Sequence, residues 1–555
     1  MFKNRSFLLY LILLTIFVLA LFLRFYKLSE FPVGFDIDEA SKGYTAYSLL
    51  KTERDDNNNF LPLYIDIFGD NSPPGYHYVT IIPIALLGLT EFAVRFPGAL
   101  FGAFSVLAIF FLSYSMFESK KVGIFSALFL AISPWHINLS RASSEGIIAL
   151  FFIILGFFLT FRSLKTQSIK YLIFGTIILA ISFFFYQTPR VFVPLFFLAL
   201  SIFFLLIWKI QVTSRYKKAF ICALLLLSLL DFILVFVVSG GTGRFFQVNI
   251  FSYPETRLVI EEQIREDGVS GVQTLVTRFF HNKGINFFLT YVSNYFEYFS
   301  WNFLFVKGLP SGYFVPNMGV LYFAELPFIL FGIFWLAFDK NKMYRIPLLW
   351  LTIAPTTAAI AIDVNNMQRA LIMFLILEII AAYGLVRLFT NVIKQRRLVL
   401  VVFATLLFLC NIFYFFHQYF VHTKVHRPWY RYNGAAEMIQ TVKKSYDLYD
   451  KIIITKSMGG IYPLVQFYMQ YDPKIYQQEG SPKDRAYTGF GKFFFVPIDC
   501  PSLEKNKKFP NAKRIIYINR GICPQDANYK ETIIYREDNS IALHIVYGDK
   551  KIISE

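Results

Sequence analysis

Apolar stretches long enough to cross a bilayer recur along the first three quarters of the chain. A spanning helix needs about 20 such residues. Stretches near that length fall at 6–26, 92–117, 122–139, 146–162, 171–187, 190–208, 219–238, 320–338, 346–362, 369–388 and 398–416, which predicts eleven spans. The first is too long for a signal-peptide core and lacks a small-x-small cleavage site before Arg24, so it reads as a retained anchor. Two further apolar stretches, 73–89 and 286–306, are shorter or broken by Pro, Gly and polar residues and read as interfacial or re-entrant helices. Beyond about residue 420 the pattern becomes that of a small α/β domain. Strands are expected at Lys451–Thr455, Lys492–Pro497 and Arg514–Asn519, a Gly459-Gly460 turn with a helix at Leu464–Tyr471, and a hairpin joining Thr532–Arg536 to Ile541–Tyr547 across Asp538-Asn539. The predicted architecture is mainly α: a polytopic membrane bundle over 1–420, with outer loops at 27–91 and 239–318, followed by an α/β domain over 421–555.

Composition supports that division. The 555 residues are 56 % hydrophobic and only 16 % charged, against about 45–50 % and about 25 % for a soluble domain. Disorder, coiled coil and a cytosolic enzyme are excluded. The net charge of +17 is by itself compatible with nucleic acid, but the basic residues of the bundle sit in short clusters between apolar runs, as topology signals do. With the N-terminus cytoplasmic, the inner loops hold Lys120, Lys121, Arg215, Lys217, Lys218, Arg396 and Arg397 among others, and the short outer loops hold only Arg141, Arg190 and Arg369. The long loops and the tail then face outward from a plasma or cytoplasmic membrane. Cys222 and Cys410 lie in apolar runs; Cys500 and Cys523 lie in the tail, where a disulfide is open to an oxidising compartment but is not fixed by spacing.

The first outer loop carries the densest candidate chemistry: Gly34-Phe-Asp36-Ile-Asp38-Glu39-Ala-Ser-Lys42-Gly-Tyr44, at the start of a helical pattern. Acids there suit simple capping and the helix dipole. They also suit a general base or a metal site beside the membrane. Asp38 and Glu39 project about 100° apart on a helix, so one would take a proton while the other caps, orients or coordinates. Adjacent acids permit a divalent cation, but no ligand set is legible and no other cofactor is implied. The three outer arginines form a second constellation. Each ends a span on the face where insertion disfavours cations, and guanidinium forks suit phosphate. Glu145, four residues past Arg141, either pairs with it or joins the acids. Asp231 and Glu378 lie within spans and read as structural. There is no Walker loop, dinucleotide fingerprint, zinc motif or nucleophile elbow.

These residues resemble a known family. Asp38-Glu39-Ala40 through Tyr44-x-x-Tyr47-Ser48-Leu49-Leu50, Phe68-Gly69-Asp70-x-x-Pro73-Pro74-x-Tyr76 and Glu91-Phe92-Ala93-Val94-Arg95-Phe96-Pro97 are similar to the amino-terminal third of GT-C glycosyltransferases. The branch is that of protein O-mannosyltransferases and lipid A aminoarabinose transferases. Ser140-Arg141 with Glu145, Pro189-Arg190-Val-x-x-Pro194, Phe303-Leu304-Phe305, Gly319-x-Leu321-Tyr322 and Gln368-Arg369 fit the same order, so the likeness covers roughly 1–420. It implies an enzyme that moves a sugar from a polyprenyl-phosphate carrier to an acceptor hydroxyl outside the membrane. Asp38 would be the base, with Glu39 beside it and Glu145 at a second acidic position; Arg141, Arg190 and Arg369 would be candidates for the carrier phosphate. Ser72 stands where many relatives carry a Lys before the paired prolines, which turns attention to Lys42 and Arg95 as further phosphate ligands. Asp36 and Tyr44 would line the substrate site. A secondary transporter of an anionic or lipid-linked substrate is the rival reading; the chain shows no internal duplication to favour it.

Overall fold

The computed structural model describes residues 2–551 apart from 68–69, 205–212, 239–248, 253, 309–314, 392–393, 480–486, 505–508, 510, 525 and 527–528. The motif residues Phe68 and Gly69 and the end of the expected span 190–208 therefore lie outside the described residues. The chain divides into two compact units: Met1–Arg24 with Gly98–Ser140 and Ser144–Phe415, and Phe25–Pro97 with Arg141–Ser143 and Phe416–Glu555.

The first unit is helical. Among the described residues, six helices are long and apolar enough to cross a membrane: Phe7–Phe25, Glu91–Phe117, Glu145–Thr166, Ser214–Val237, Met367–Asn391 and Leu398–Val425. The helices Lys120–Ile132 and Pro134–Arg141 meet at 54° and together make a seventh candidate. Ser133 between them is extended, as expected of a residue that precedes proline.

The sequence expectation of eleven full spans is corrected here. The stretches 171–187, 190–208 and 320–338 hold the shorter helices Ile169–Ser182, Thr188–Ile202 and Phe323–Phe338. The stretch 346–362 is interrupted at Pro355 between Ile346–Ile353 and Thr356–Ala359. Apolar character continues where helical backbone stops: after Ser182, Phe183–Phe185 bond back three residues in tight turns. A 14-residue helix rises only about 21 Å, short of a hydrocarbon core of about 30 Å.

Met367–Asn391 is buried continuously from Ala370 to Leu385, the signature of a helix enclosed on all sides. It crosses Leu326–Phe338 through glycines. A Cβ on Gly384 would lie 2.0 Å from the Phe328 carbonyl oxygen and one on Gly332 would lie 2.3 Å from that of Ile380. Helices in membranes approach this closely only through small residues. Leu398–Val425 instead exposes Leu398, Phe403 and Phe413, a face suited to lipid. The stretch 286–306 forms the helix Lys283–Glu297 and a wide turn at Asn302–Val306.

The second unit joins the first loop to the tail. Ile65–Ile67 (β1) pairs antiparallel with Asp70–Ser72 (β2). The tail sheet contains Lys451–Thr455 (β3), Gly489–Phe490 (β4), Phe493–Val496 (β5), Ile515–Asn519 (β6), Tyr529–Tyr535 (β7) and Ile541–Lys551 (β8). Its order is β4-β5-β3-β6-β8-β7, with β3 parallel to both β5 and β6. Four of the five β3 residues are buried, as central parallel strands require. The expected hairpin is β7–β8, turning at Asn539, whose φ of 62° suits asparagine. The expected tail helix is Tyr462–Met469. Cys500 and Cys523 form a disulfide with a Cα–Cα distance of 6.0 Å. The first loop packs in this unit with the tail. Its helix Ile37–Thr52 is buried from Glu39 through Ala46, and Gly43 passes where a Cβ would lie 2.6 Å from Val94 and 2.7 Å from Phe467.

Candidate active site

The acid turn of the second unit is built by a reciprocal cap. Asp36 precedes the helix Ile37–Thr52 in extended conformation and accepts from the Asp38 amide at 3.0 Å. The Asp36 amide donates to Glu39 Oε2 at 3.3 Å, completing a capping box. Two of the three acids are thus committed to the helix start. Asp38 is the exposed one.

Glu39 is sunk into the unit, 1 % exposed. Arg95 Nε donates to its Oε1 at 3.0 Å and Arg95 Nη2 to Oε2 at 3.2 Å. Ser143 Oγ donates to Oε1 at 3.0 Å, and Arg431 forms an ion pair with Oε2. Burial alone would raise the Glu39 carboxyl. The charges of Arg95 and Arg431, with hydrogen bonds from Arg95 and the Asp36 amide, outweigh it and hold the group at about 2. Asp36 moves the other way: burial raises it more than the Arg431 charge lowers it. Glu39 is a buried anion whose bonds fix the first turn of the helix, next to Asp38.

Arg95 also donates to the carbonyls of Leu28, Ser29 and Gly34, at 3.0, 3.2 and 2.7 Å. Gly34 has φ +80°, and a Cβ there would meet the Arg431 carbonyl oxygen at 2.3 Å, so this crossing requires glycine. Lys42 is buried, donates to the Ser143 carbonyl at 2.9 Å and lies 5.2 Å from the Tyr76 ring centroid. Tyr44 is buried edge-on to Tyr476 at 5.9 Å, and burial, then the Asp56 charge, pushes its phenol up. Arg141 is fully buried: Nε donates to the Tyr419 hydroxyl at 3.1 Å, and Nη2 to the carbonyls of Tyr26, Lys27 and Phe31 at 2.7, 3.2 and 3.3 Å. The expected residues Asp36, Asp38, Glu39, Lys42, Tyr44, Arg95 and Arg141 all fall in this one unit.

The other three belong to the helical unit. Glu145 begins the helix Glu145–Thr166 and accepts from Gln368 Nε2 at 2.8 Å. Arg190 donates through Nε and Nη2 to the Phe183 carbonyl at 2.9 and 2.8 Å, and Asp231 lies within its electrostatic reach. Arg369 is ion-paired with Asp363, a carboxylate with 52 % side-chain exposure. Glu378 accepts from Trp135 Nε1 at 3.2 Å.

Two contributors escape a reading by motif. Arg431 closes the Glu39 cage from 392 positions away, and Tyr432 beside it feels the charges of Asp36 and Asp38. The only local hint is the aromatic-basic run Trp429-Tyr430-Arg431-Tyr432 just past the last apolar stretch. The divalent ion that adjacent acids would permit does not fit: Asp36 is committed to the cap and Glu39 to arginines. Among the described residues, no three His, Cys, Asp or Glu side chains group to hold a metal.

The fold is ArnT-like. It is similar to the oligosaccharyltransferase AglB from Archaeoglobus fulgidus, in complex with an inhibitory peptide and a dolichol-phosphate, at TM-score 0.54 and 12 % identity over 99 % of this chain and 77 % of that one. It is likewise similar to ArnT from Cupriavidus metallidurans bound to undecaprenyl phosphate, at TM-score 0.53 and 10 % identity over 98 % of both chains. Residues 71–236 match the PMT_2 family model, dolichyl-phosphate-mannose-protein mannosyltransferase. No curated protein matches the chain in sequence.

Proposed function

We propose that this membrane glycosyltransferase moves a sugar from a polyprenyl-phosphate carrier to an acceptor hydroxyl outside the membrane, with Asp38 as the base. One observation carries the reading: of three acids within four positions at the helix start, Asp36 holds the cap and Glu39 is buried on Arg95 and Arg431, while Asp38 is exposed. The Asp38 carboxylate takes the proton of the acceptor hydroxyl as its oxygen bonds to the anomeric carbon. The bond from that carbon to the phosphate oxygen breaks, its electron pair leaves with the polyprenyl phosphate, and single displacement inverts the anomeric centre. Cations that meet the growing phosphate charge favour departure. Arg369 is the resemblance's candidate for that role, and its ion-pair partner Asp363 is exposed. Arg190, Lys42 and Glu145 complete the expected set. Arg95 and Arg141, buried on Glu39 and on backbone carbonyls, act by positioning. Residues 1–420 would serve as the catalytic membrane module and 421–555 as its outward tail. The tail disulfide and the scarcity of cations in the short outer loops support an outward face for both.

The test is transfer from a labelled polyprenyl-phosphate hexose by the full chain in liposomes. Asp38→Asn, checked for an unchanged melting temperature, is expected to lose about 10²–10⁴-fold in rate. Transfer at the original rate would remove the base from the scheme.

A further inference from the structure

The second unit contains a cavity of about 510 Å³ that none of the residues discussed as catalytic fills. The volume lies within the range of about 300–1,000 Å³ usual for small-ligand clefts. Its wall runs along Gly34-Phe35, directly into the Asp36–Asp38 turn, and includes Tyr432, whose phenol feels both of those carboxylates. The cavity wall thus includes the two residues that precede Asp36 in the chain.

Two features of the lining define what fits. The first is charge. Glu91, Glu437 and Glu537 face it together with Glu30, against only Lys424 and Arg536. Lys424 lies 5.3 Å from the Phe31 ring centroid and Arg536 donates to Ser540 Oγ at 3.1 Å; of the carboxylates, Glu30 is paired with Lys27 at 2.9 Å and Glu91 lies 3.9 Å from Arg95. The lining carries more carboxylates than cations, which disfavours the phosphate of a polyprenyl carrier there. The second feature is aromatic surface. Tyr432, Tyr468 and Tyr535 line the same wall, together with Phe35, which is itself buried. Tyr468 is held by its hydroxyl, which donates to Glu91 Oε1 at 2.5 Å, and lies 6.1 Å from Phe35 edge to face. Flat rings that pack against C–H faces, beside carboxylates that accept from hydroxyl groups, make a surface for polyhydroxylated rings. Gly434, at φ +93°, turns the chain into the helix Ala435–Lys444 where its first residues meet the cavity, and a Cβ there would lie 2.7 Å from Ala542.

We propose that this cavity is the acceptor subsite and that the acceptor is an uncharged saccharide. One of its hydroxyls would be directed toward Asp38. The assignment of the acceptor role rests on the transferase reading above; the capacity to bind a saccharide does not.

The experiment measures binding of maltotriose, mannotriose and chitotriose to the full chain in detergent by saturation-transfer NMR, alongside a serine-rich nonapeptide. Wild type and Asp38→Asn are both expected to bind at least one trisaccharide. Glu437→Lys with Glu537→Lys, and separately the exposed Tyr535→Ala, are expected to weaken it about tenfold or more, with thermal melting as the check on folding. Trisaccharide binding that is absent in wild type, or unchanged in both variants, overturns the proposal. Binding of the peptide alone, lost in the same variants, also overturns it and makes the acceptor a polypeptide. If the trisaccharide binds as expected but no transfer from any carrier-linked sugar is found, the transferase reading fails while the saccharide site stands.

Discussion

Each unit buries a full charge near one end of a helix, and the two solve the problem differently. In the second unit, Glu39 meets formal opposite charges, Arg95 and Arg431. In the helical unit, Arg24 is fully buried and donates to the carbonyls of Ala20, Leu130 and Ala131, each at 3.1 Å, and to His136 Nδ1 at 2.7 Å. Leu130 and Ala131 lie at the end of the helix Lys120–Ile132, whose last carbonyls lack intrahelical donors and carry partial negative charge. Since guanidinium only donates, His136 accepts at Nδ1 and carries its proton on Nε2. The difference teaches what each arrangement is for. Partial charges and an uncharged imidazole fix the bend between two helices without a formal countercharge. The Glu39 cage ties the first loop, the Arg141–Ser143 segment and the tail of one unit to a single carboxylate, so that Asp38 is held where it is by residues from across the sequence.

The contrast breaks most sharply at Glu39. Glu39→Gln leaves Arg95 and Arg431 buried without their countercharge, a change that costs about 3–5 kcal/mol. It should appear as a large fall in melting temperature, with faster hydrogen exchange in 36–52 and 427–434. Adding Arg431→Met should restore part of the loss, because a neutralised pair is cheaper to bury than a broken one. Acid should act on the same point. Glu39 titrates at about 2 in the folded chain against an ordinary 4.5, so its contribution, about 3 kcal/mol, is complete above about 4.5 and is lost as pH falls toward 2. Asp36, raised by burial, works in the opposite sense and trims that loss. Melting followed from pH 6 to pH 2.5 should show the decline. Arg24 sets the smaller scale: Arg24→Lys retains the charge but cannot span carbonyls on two sides, and should cost about 1–3 kcal/mol, with little dependence on pH over the same range.

How far these features were legible depends on whether their cause is local. The β3 strand Lys451–Thr455 and the Asp538-Asn539 turn are written in short patterns, and both appear where the pattern puts them. The acid turn is equally local, since a cap involves residues three apart. Span count is less so. An apolar stretch such as 346–362 stays greasy through Pro355, where the helix breaks, and hydropathy cannot register the break. The arginines were the hardest to read. Position at the outer end of a span is visible for Arg141, but the turn of carbonyls from Tyr26 to Phe31 that receives it is made by the fold. Arg431 sits in an aromatic run that gives no sign of a carboxylate 392 residues earlier.

The smallest expected effect on stability belongs to the residue with the largest expected effect on rate. Asp38 is one of three acids in four positions, yet it is exposed, and the cap uses its backbone amide rather than its carboxylate. Asp38→Asn keeps that amide and nearly the same shape, so the melting temperature should stay within the equivalent of about 0.5 kcal/mol of wild type, as for most exposed substitutions. Glu39→Gln inverts the relation, because it removes no proton acceptor and yet loosens the turn. Measuring melting and transfer on the two variants side by side separates a residue that performs a reaction from one that holds it in place. If Asp38→Asn destabilised the chain as much as Glu39→Gln, the carboxylate would be part of the scaffold and the two acids would share one structural role.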